Sequence, residues 1–340
     1  YSGSVFHVTD ASRSVSVVSQ LLNPKLKEKL IYSTEKQYDL LRENFYSNLK
    51  NINLIDLKEA RKRRPALNYK PIKPKIEGKK VIEQLDINKL KKYIDWSPFF
   101  HAWGIKGVYP KILKDSKKGI EATKLFNEAN EVLDLIMNEN LFTVKGVYGI
   151  YKAKSKNEKV NILDSSYTLS FPRQLIDKGS NPNYCLADFI ADKQTDYIGM
   201  FAVTAGHKPD ELAKKYESEN DDYNAIMIKI IADRLAEAAA ECLHELVRKY
   251  EWGYAKHENF DINQLNDEEY SGIRPAPGYP SCPDHNLKDT IWDMLEVEKK
   301  IGITLTQSKA MNPAASVCGF YFAHPNAKYF SVLKNNHNEI

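Results

Sequence analysis

The spacing of apolar residues along the chain predicts long helices interspersed with short strands. Apolar residues recur every three or four positions over residues 14–48, 87–103 and 118–138, which is the period of a helix with one buried face. The longest such pattern covers residues 222–250, and another covers residues 285–301. Short apolar runs predict strands over residues 5–12, 144–151, 160–163, 197–204 and 314–322.

The predicted helices and strands follow one another irregularly, without the repeated βαβ units of a doubly wound sheet. This order favours the α+β fold class. Residues 48–80 interrupt the pattern, and Pro65, Pro71 and Pro74 lie within them. Because proline disfavours both helix interiors and central strands, we expect this segment to form an irregular, extended arm.

Charge is concentrated in the same segment. Between Lys58 and Lys80 there are ten lysine and arginine residues but only Glu59 and Glu77 as acids, so this tract carries a charge of +8 in a chain whose net charge is +4. It is either a solvated linker or a docking surface for an acidic partner. The remaining chain is net acidic and contains no recognised nucleic-acid motif, so no nucleic-acid binding is predicted.

Composition argues against several other classes of protein. No apolar run approaches the roughly 18 residues of a membrane span, so no membrane segment is predicted. The four cysteines are scattered and the first residues show no signal peptide, which indicates the cytoplasm. Cys282 and His285 have the spacing of half a zinc site, but no second pair matches them, and no metal site is predicted. The GxGxxG loop of Rossmann folds is absent.

The most informative candidate for binding chemistry is the proline-rich loop over residues 274–280. Its stiffness would reduce the ordering cost of binding, and Gly278 is suited to a tight turn with positive φ. Arg274 could grip a carboxylate with two parallel hydrogen bonds, and Tyr279 could cover a flat ring. The alternative is an ordinary surface turn in which Arg274 pairs with a nearby acid.

Three further polar residues are candidates outside this loop. Arg234 and Glu237 are three residues apart on one face of the longest predicted helix, and the carboxylate could attract a cationic ligand such as a sulfonium. The alternative is an exposed ion pair of little energetic consequence. Asp95 lies beside Trp96, where it could hold an ammonium at the edge of an apolar pocket. Helix capping or a structural hydrogen bond explains Asp95 equally well.

Several segments together resemble the C-terminal activation domain of cobalamin-dependent methionine synthase. The resemblance covers the chain from about residue 48 to its end, and the order and spacing of the segments make it specific. The segments that carry it are residues 93–100 (YIDWSPFF), 183–189 (NYCLADF), 196–199 (DYIG), 233–238 (DRLAEA), 272–280 (GIRPAPGYP), 316–322 (SVCGFYF) and 328–330 (KYF).

The resemblance implies a single helmet-like domain with a bent, mainly antiparallel sheet, and a binding site for S-adenosylmethionine. The family's Arg-x-x-x-Gly-Tyr motif maps onto Arg274, Gly278 and Tyr279. The site is completed by residues whose roles follow from the same positional match. The backbone at Ala276, the carboxylate of Asp95 at the methionine amino end, Tyr329 against the ligand, and Arg234, Glu237 and Glu268 near the sulfonium make up this set.

The resemblance also implies a division of the chain and a role in a larger enzyme. Residues 1–47 are expected to be the C-terminal tail of a cobalamin-binding module with a connecting helix, and residues 48–340 the activation domain. The Asp-x-His-x-x-Gly signature that supplies a cobalt ligand is absent, so cobalamin is expected on the neighbouring module of the same polypeptide.

The implied activity is the reductive remethylation of cob(II)alamin, with electrons from flavodoxin or a diflavin reductase. No residue of this chain is then expected to act as a chemical catalyst, because the domain acts by positioning. Two alternatives stay open: a docking or regulatory module for the cobalamin module and the flavoprotein, and a free-standing methyltransferase with a separate small acceptor.

Overall fold

The structure, a computed structural model, describes residues 4–7, 11–50 and 53–333 and forms two compact units. The smaller unit comprises Tyr1–Asp56 and Ile176–Gly179. Its helices are α1 (Ala11–Leu22) and α2 (Pro24–Lys50), which confirms the helical pattern predicted there. The strand predicted over residues 5–12 is wrong where it can be compared, because residues 5–7 are irregular and α1 begins at Ala11; residues 8–10 lie outside the described residues.

The larger unit, Leu57–Leu175 with Ser180–Ile340, is built around an antiparallel sheet. The strand order is β4-β3-β2-β5-β8, and β1 also pairs with β2, along the half of that strand that β3 leaves free. A separate short pair is formed by β6 and β7. The strands are β1 (Gly78–Ile82), β2 (Lys145–Lys156), β3 (Lys159–Ile162), β4 (Thr168–Ser170), β5 (Asp196–Thr204), β6 (Thr304–Leu305), β7 (Met311–Asn312) and β8 (Ser316–Tyr321).

Helices cover both faces of this sheet, and the longest of them, α8, packs against β5 and β8. Its apolar face is fully buried, as the helical spacing predicted, and the helix runs on into a single π-helical turn at Val247–Glu251. The α+β class with a curled antiparallel sheet is thereby confirmed. The helices are α3 (Leu57–Lys62), α4 (Ile87–Leu90), α5 (Ser97–Ala102), α6 (Gly119–Asn138), α7 (Lys208–Ser218), α8 (Asp222–Leu246), α9 (Ile262–Asn266), α10 (Leu287–Leu295) and α11 (Val297–Ile301).

Two predicted helices are interrupted. Over residues 87–103, α4 and a 3-10 turn end at Ile94 in extended backbone, and α5 begins beside Pro98. Proline lacks an N–H group and is tolerated only in the first turn, so the chain restarts a helix there instead of continuing one. Over residues 285–301, α10 and α11 are separated by Glu296, whose φ of 50° is left-handed.

Strand β5 is buried along its whole length because it contributes to two cores. Tyr197, Phe201 and Val203 pack into the core that includes α6 and α8. Ile198 and Met200, which point to the opposite face, pack into the core that includes α10 and α11. Alternate residues of a strand face opposite sides of the sheet, so β5 forms the partition between these two cores.

The basic tract belongs to the larger unit and is more ordered than the sequence predicted. The irregular arm expected over residues 48–80 is wrong for residues 57–62 and 78–82, which form α3 and β1. Several of its cations pair with acids elsewhere on the same unit. Nη2 of Arg61 lies 2.6 Å from Glu158 Oε2, and Nζ of Lys80 lies 2.9 Å from Glu251 Oε1. The tract therefore packs on the domain and is not a solvated linker.

Candidate ligand-binding site

A cavity of about 490 Å³ lies at the end of the sheet where the proline-rich loop meets α8. Its volume falls within the range of roughly 300–1,000 Å³ typical of small-molecule sites. Four separate parts of the chain contribute to its wall: strands β5 and β8, helix α8, the loop after α9 with the proline-rich loop, and the segment near residue 330. The lining residues are Phe201, Glu237, Glu268, Arg274, Pro275, Ala276, Tyr279, Pro280, Ser281, Val317, Tyr329, Phe330 and Ser331.

The proline-rich loop is held against the edge of β8 by backbone hydrogen bonds. Ile273 and Phe322 exchange two such bonds, each 3.0 Å long, and the amide of Phe320 donates to the carbonyl of Pro275 at 3.0 Å. Gly319 permits this approach, because a Cβ atom there would lie 2.8 Å from the Pro275 carbonyl oxygen. The loop is thus fixed in place by the sheet before any ligand binds.

Gly278 shapes the turn of this loop without lining the cavity. Its φ of 103° is a left-handed conformation that L side chains rarely adopt. A Cβ atom at this position would also lie 2.2 Å from Cε1 of His285. The amide of Gly278 donates to the carbonyl of Cys282 at 2.7 Å, which closes the turn that carries Tyr279. The glycine is therefore required by both backbone and space.

Arg274 is the most heavily bonded residue of the cavity wall. Its Nη1 atom lies 2.6 Å from Oε2 of Glu241 and 3.0 Å from the hydroxyl of Tyr270, and its amide donates to the hydroxyl of Tyr329 at 3.0 Å. Burial opposes the charge of this guanidinium, but the carboxylate of Glu241 outweighs it, and the pKa of Arg274 is raised. Arg274 therefore enters the cavity as a fixed, permanent cation.

Behind Arg274 lies a buried polar cluster that the sequence reasoning missed. His244 is fully buried and stacks on Tyr321, with ring centroids 5.1 Å apart. Burial, together with the neighbouring charges of Arg248 and Arg274, holds the pKa of His244 well below its usual value, so the ring is neutral. The signal was present in the sequence, because Glu241, His244 and Arg248 fall on one helical face that is otherwise apolar.

The structure gathers most of the predicted site residues around this cavity. Glu237, Glu268, Arg274, Ala276, Tyr279 and Tyr329 line it, and Gly278 shapes its loop. Arg234 does not line it, although its charge is near enough to oppose the rise in the pKa of Tyr279 that burial and Glu237 produce. Asp95 does not line it either. Its Oδ1 atom accepts a hydrogen bond of 2.9 Å from the amide of Ser97 at the start of α5.

Two sequence-based expectations concern features other than this cavity. Cys282 is a buried free thiol, and within the described residues no group of three or more His, Cys, Asp or Glu side chains is placed to bind a metal ion. No helix in the described part of the chain combines the length and apolar character needed to cross a membrane.

Comparison with known proteins relates this architecture to one family. The family model described as "Vitamin B12 dependent methionine synthase, activation domain" matches residues 86–340. Among solved structures, the chain is similar to the crystal structure of the MetH reactivation domain bound to AdoHcy (S-adenosylhomocysteine). The two are 46% identical and superpose with a TM-score of 0.79, over 82% of this chain and 89% of the other.

Proposed function

This chain belongs to the activation-domain family of vitamin B12-dependent methionine synthase, and on that premise we propose that its cavity binds S-adenosylmethionine and presents the methyl group for transfer to cobalamin. One observation carries the proposal: six residues expected at such a site, drawn from separate parts of the chain, line a single cavity. The similarity to a domain solved with S-adenosylhomocysteine, the product of that methyl transfer, supports the same ligand class.

The residues of the cavity suit the three chemical parts of this ligand. Arg274 offers a fixed guanidinium to the carboxylate of the methionine moiety. Tyr279, whose side chain is 60% exposed at the mouth of the cavity, offers a ring face to the adenine. Glu237 and Glu268 place two carboxyl groups where they would favour the positive sulfonium.

On this proposal the domain accelerates methyl transfer by positioning. Bound S-adenosylmethionine supplies an electrophilic methyl group, and the acceptor is cob(I)alamin carried by the cobalamin-binding module of the same polypeptide. The cavity fixes the sulfonium and excludes water from it, which can supply a large part of the rate enhancement without a reacting side chain. No proton is transferred, so the absence of a general base from the cavity wall agrees with the proposed step.

The proposed site can be tested by calorimetric titration with S-adenosylmethionine. We expect one-to-one binding by the wild-type chain and at least a tenfold loss of affinity in Arg274→Ala, because a charge-assisted hydrogen bond to a carboxylate is removed (roughly 1.5–3 kcal/mol). Arg61→Ala is the matched control, since it removes an arginine paired with a glutamate away from the cavity. Absence of binding by folded wild-type chain would refute the assignment.

The reductant on this proposal is an acidic flavoprotein, flavodoxin or a diflavin reductase, and the basic tract supports it. Lys58 and Lys70 are exposed cations of this tract, and neither has an ion-pair partner among the described residues. Reversal of both to Glu is expected to weaken flavodoxin binding at low salt, whereas Lys208→Glu, outside the tract, is the control. Unchanged flavodoxin affinity would contradict this role.

Methyl transfer separates the proposed function from its alternatives. Transfer from S-adenosylmethionine to cob(I)alamin supports the proposal, because a purely docking or regulatory module would bind the ligand without turnover. Methyl turnover to a small acceptor in the absence of any corrinoid would instead favour a free-standing methyltransferase. Both outcomes can be read from the formation of S-adenosylhomocysteine with and without cobalamin.

A further inference from the structure

One nitrogen of Arg274 is fully occupied by the protein. Three acceptors surround Nη1: Oε2 of Glu241 at 2.6 Å, the hydroxyl of Tyr270 at 3.0 Å and Nδ1 of His244 at 3.4 Å. A guanidinium Nη atom carries only two N–H groups, so this nitrogen has none left for a ligand. By contrast, neither Nε nor Nη2 of Arg274 has a hydrogen-bond partner among the residues that the structure describes.

The acceptors on Nη1 are themselves rigidly held. Glu241 and His244 lie on α8, and Arg248 follows them in the π-helical turn, so all three project from one continuous helix. Nη1 of Arg248 lies 3.7 Å from Oε1 of Glu241, and its Nε atom donates to Oε2 of Glu258 at 2.9 Å. Glu241 is only 6% exposed, so its carboxylate cannot turn towards solvent when a ligand enters.

His244 can serve only as an acceptor towards Arg274. Arginine has donors but no acceptor, so the contact to Nδ1 requires that this ring nitrogen carries no proton. The neutral ring then has its proton on Nε2, which lies 3.4 Å from the hydroxyl of Tyr254. Stacking on Tyr321 fixes the ring plane, so the direction of the Nδ1 lone pair is fixed as well.

We infer that Glu241 is a positioning residue that, with His244, turns the Nε–Nη2 edge of Arg274 towards the ligand and so makes the cavity select ligands that carry a carboxylate. The inference rests on the proposed function. A carboxylate can accept two parallel hydrogen bonds from this edge, because Nε and Nη2 are the pair of donors left free. A ligand without a carboxylate would cover the edge and leave a desolvated cation unpaired, and such sites discriminate strongly.

The test compares two ligands that differ only in this group. S-adenosylhomocysteine and 5′-methylthioadenosine share the adenosine thioether, but the second lacks the amino-acid carboxylate. We expect the wild-type chain to prefer the first. In Glu241→Gln, which keeps the shape of the side chain but removes its charge, we expect the ratio of the two dissociation constants to fall by about tenfold. Glu241→Asp, which keeps the charge, should retain more of the ratio.

Two further variants make the outcome decisive. Glu158→Gln is the matched control, because Glu158 also pairs with a buried arginine, Arg173, but does not line the cavity, and its ratio should equal that of the wild type. His244→Phe keeps a ring against Tyr321 and removes only the acceptor, so it should lower the ratio selectively even if Glu241→Gln does not fold.

The possible failures are distinguishable. If the folded wild-type chain binds neither ligand, the proposed function fails, and this inference fails with it. If the wild type binds both ligands with equal affinity, or if Glu241→Gln and His244→Phe weaken both ligands equally and leave the ratio unchanged, then the positioning role is overturned while the binding site stands. A purely structural role for Glu241 predicts the equal weakening.

Discussion

Replacement of Tyr279 by alanine should separate ligand binding from folding. The side chain is 60% exposed, and the hydrogen bonds of its backbone, to Ala276 and Cys282, do not depend on it. The stability of the fold should therefore change by no more than about 0.5 kcal/mol, as is usual for exposed positions. An aromatic side chain stacked on a base contributes roughly 1–3 kcal/mol to binding. The dissociation constant should accordingly rise by about 5- to 150-fold.

Titration calorimetry with S-adenosylhomocysteine measures the affinity, and urea unfolding of the ligand-free chain measures the stability. Tyr279→Phe is the matched control: it keeps the ring face and should bind almost as tightly as the wild type. The reasoning is refuted if Tyr279→Ala retains the wild-type affinity, because the ring then does not cover the ligand. A loss of several kcal/mol in the unfolding free energy would refute it in another way, since it would show that the exposed ring supports the loop.

Three further predictions concern stability. Arg173→Met leaves the buried carboxylate of Asp188 without its partner and should lower the unfolding free energy in urea by about 3–5 kcal/mol. Gly278→Ala combines a left-handed φ with a collision at His285 and should lower both the melting temperature and the ligand affinity; unchanged values would contradict the loop geometry. Burial lowers the pKa of His324 from 6.5 to about 4, so the unfolded chain takes up a proton before the folded chain does. Stability should therefore fall by about 3 kcal/mol between pH 6.5 and pH 4, and His324→Phe should flatten that dependence in urea titrations.

Long, regular patterns in the sequence predicted the fold most successfully. Helices α6 and α8 and strands β2 and β5 all lie where the spacing of apolar residues placed them, because each element buries one periodic face or two. The interruption at Glu296 was missed, since a glutamate carries no local signal for a left-handed backbone and only the packing around it imposes one. The basic tract was predicted as irregular because its partners, such as Glu158, are distant in sequence.

The site divides in the same way. The proline-rich loop was predicted from its own composition, and Glu237 from its position on α8. The partner of Arg274 was left as an unspecified nearby acid, because its identity as Glu241 depends on how the loop crosses the helix. The placement of Asp95 could not be predicted either: a capping hydrogen bond and a ligand contact place the same demand on the sequence around it.

The partition formed by β5 gives the larger unit a single unfolding transition. Neither core can lose its packing while the other survives, because the same nine-residue strand supplies side chains to both. Phe201 of this strand also lines the cavity. A bound ligand, which stabilises the folded state by mass action, should therefore slow amide hydrogen exchange in α10 and α11, on the far side of the sheet, as much as in the helix it touches. Occupancy of the cavity is in this sense reported by the whole domain.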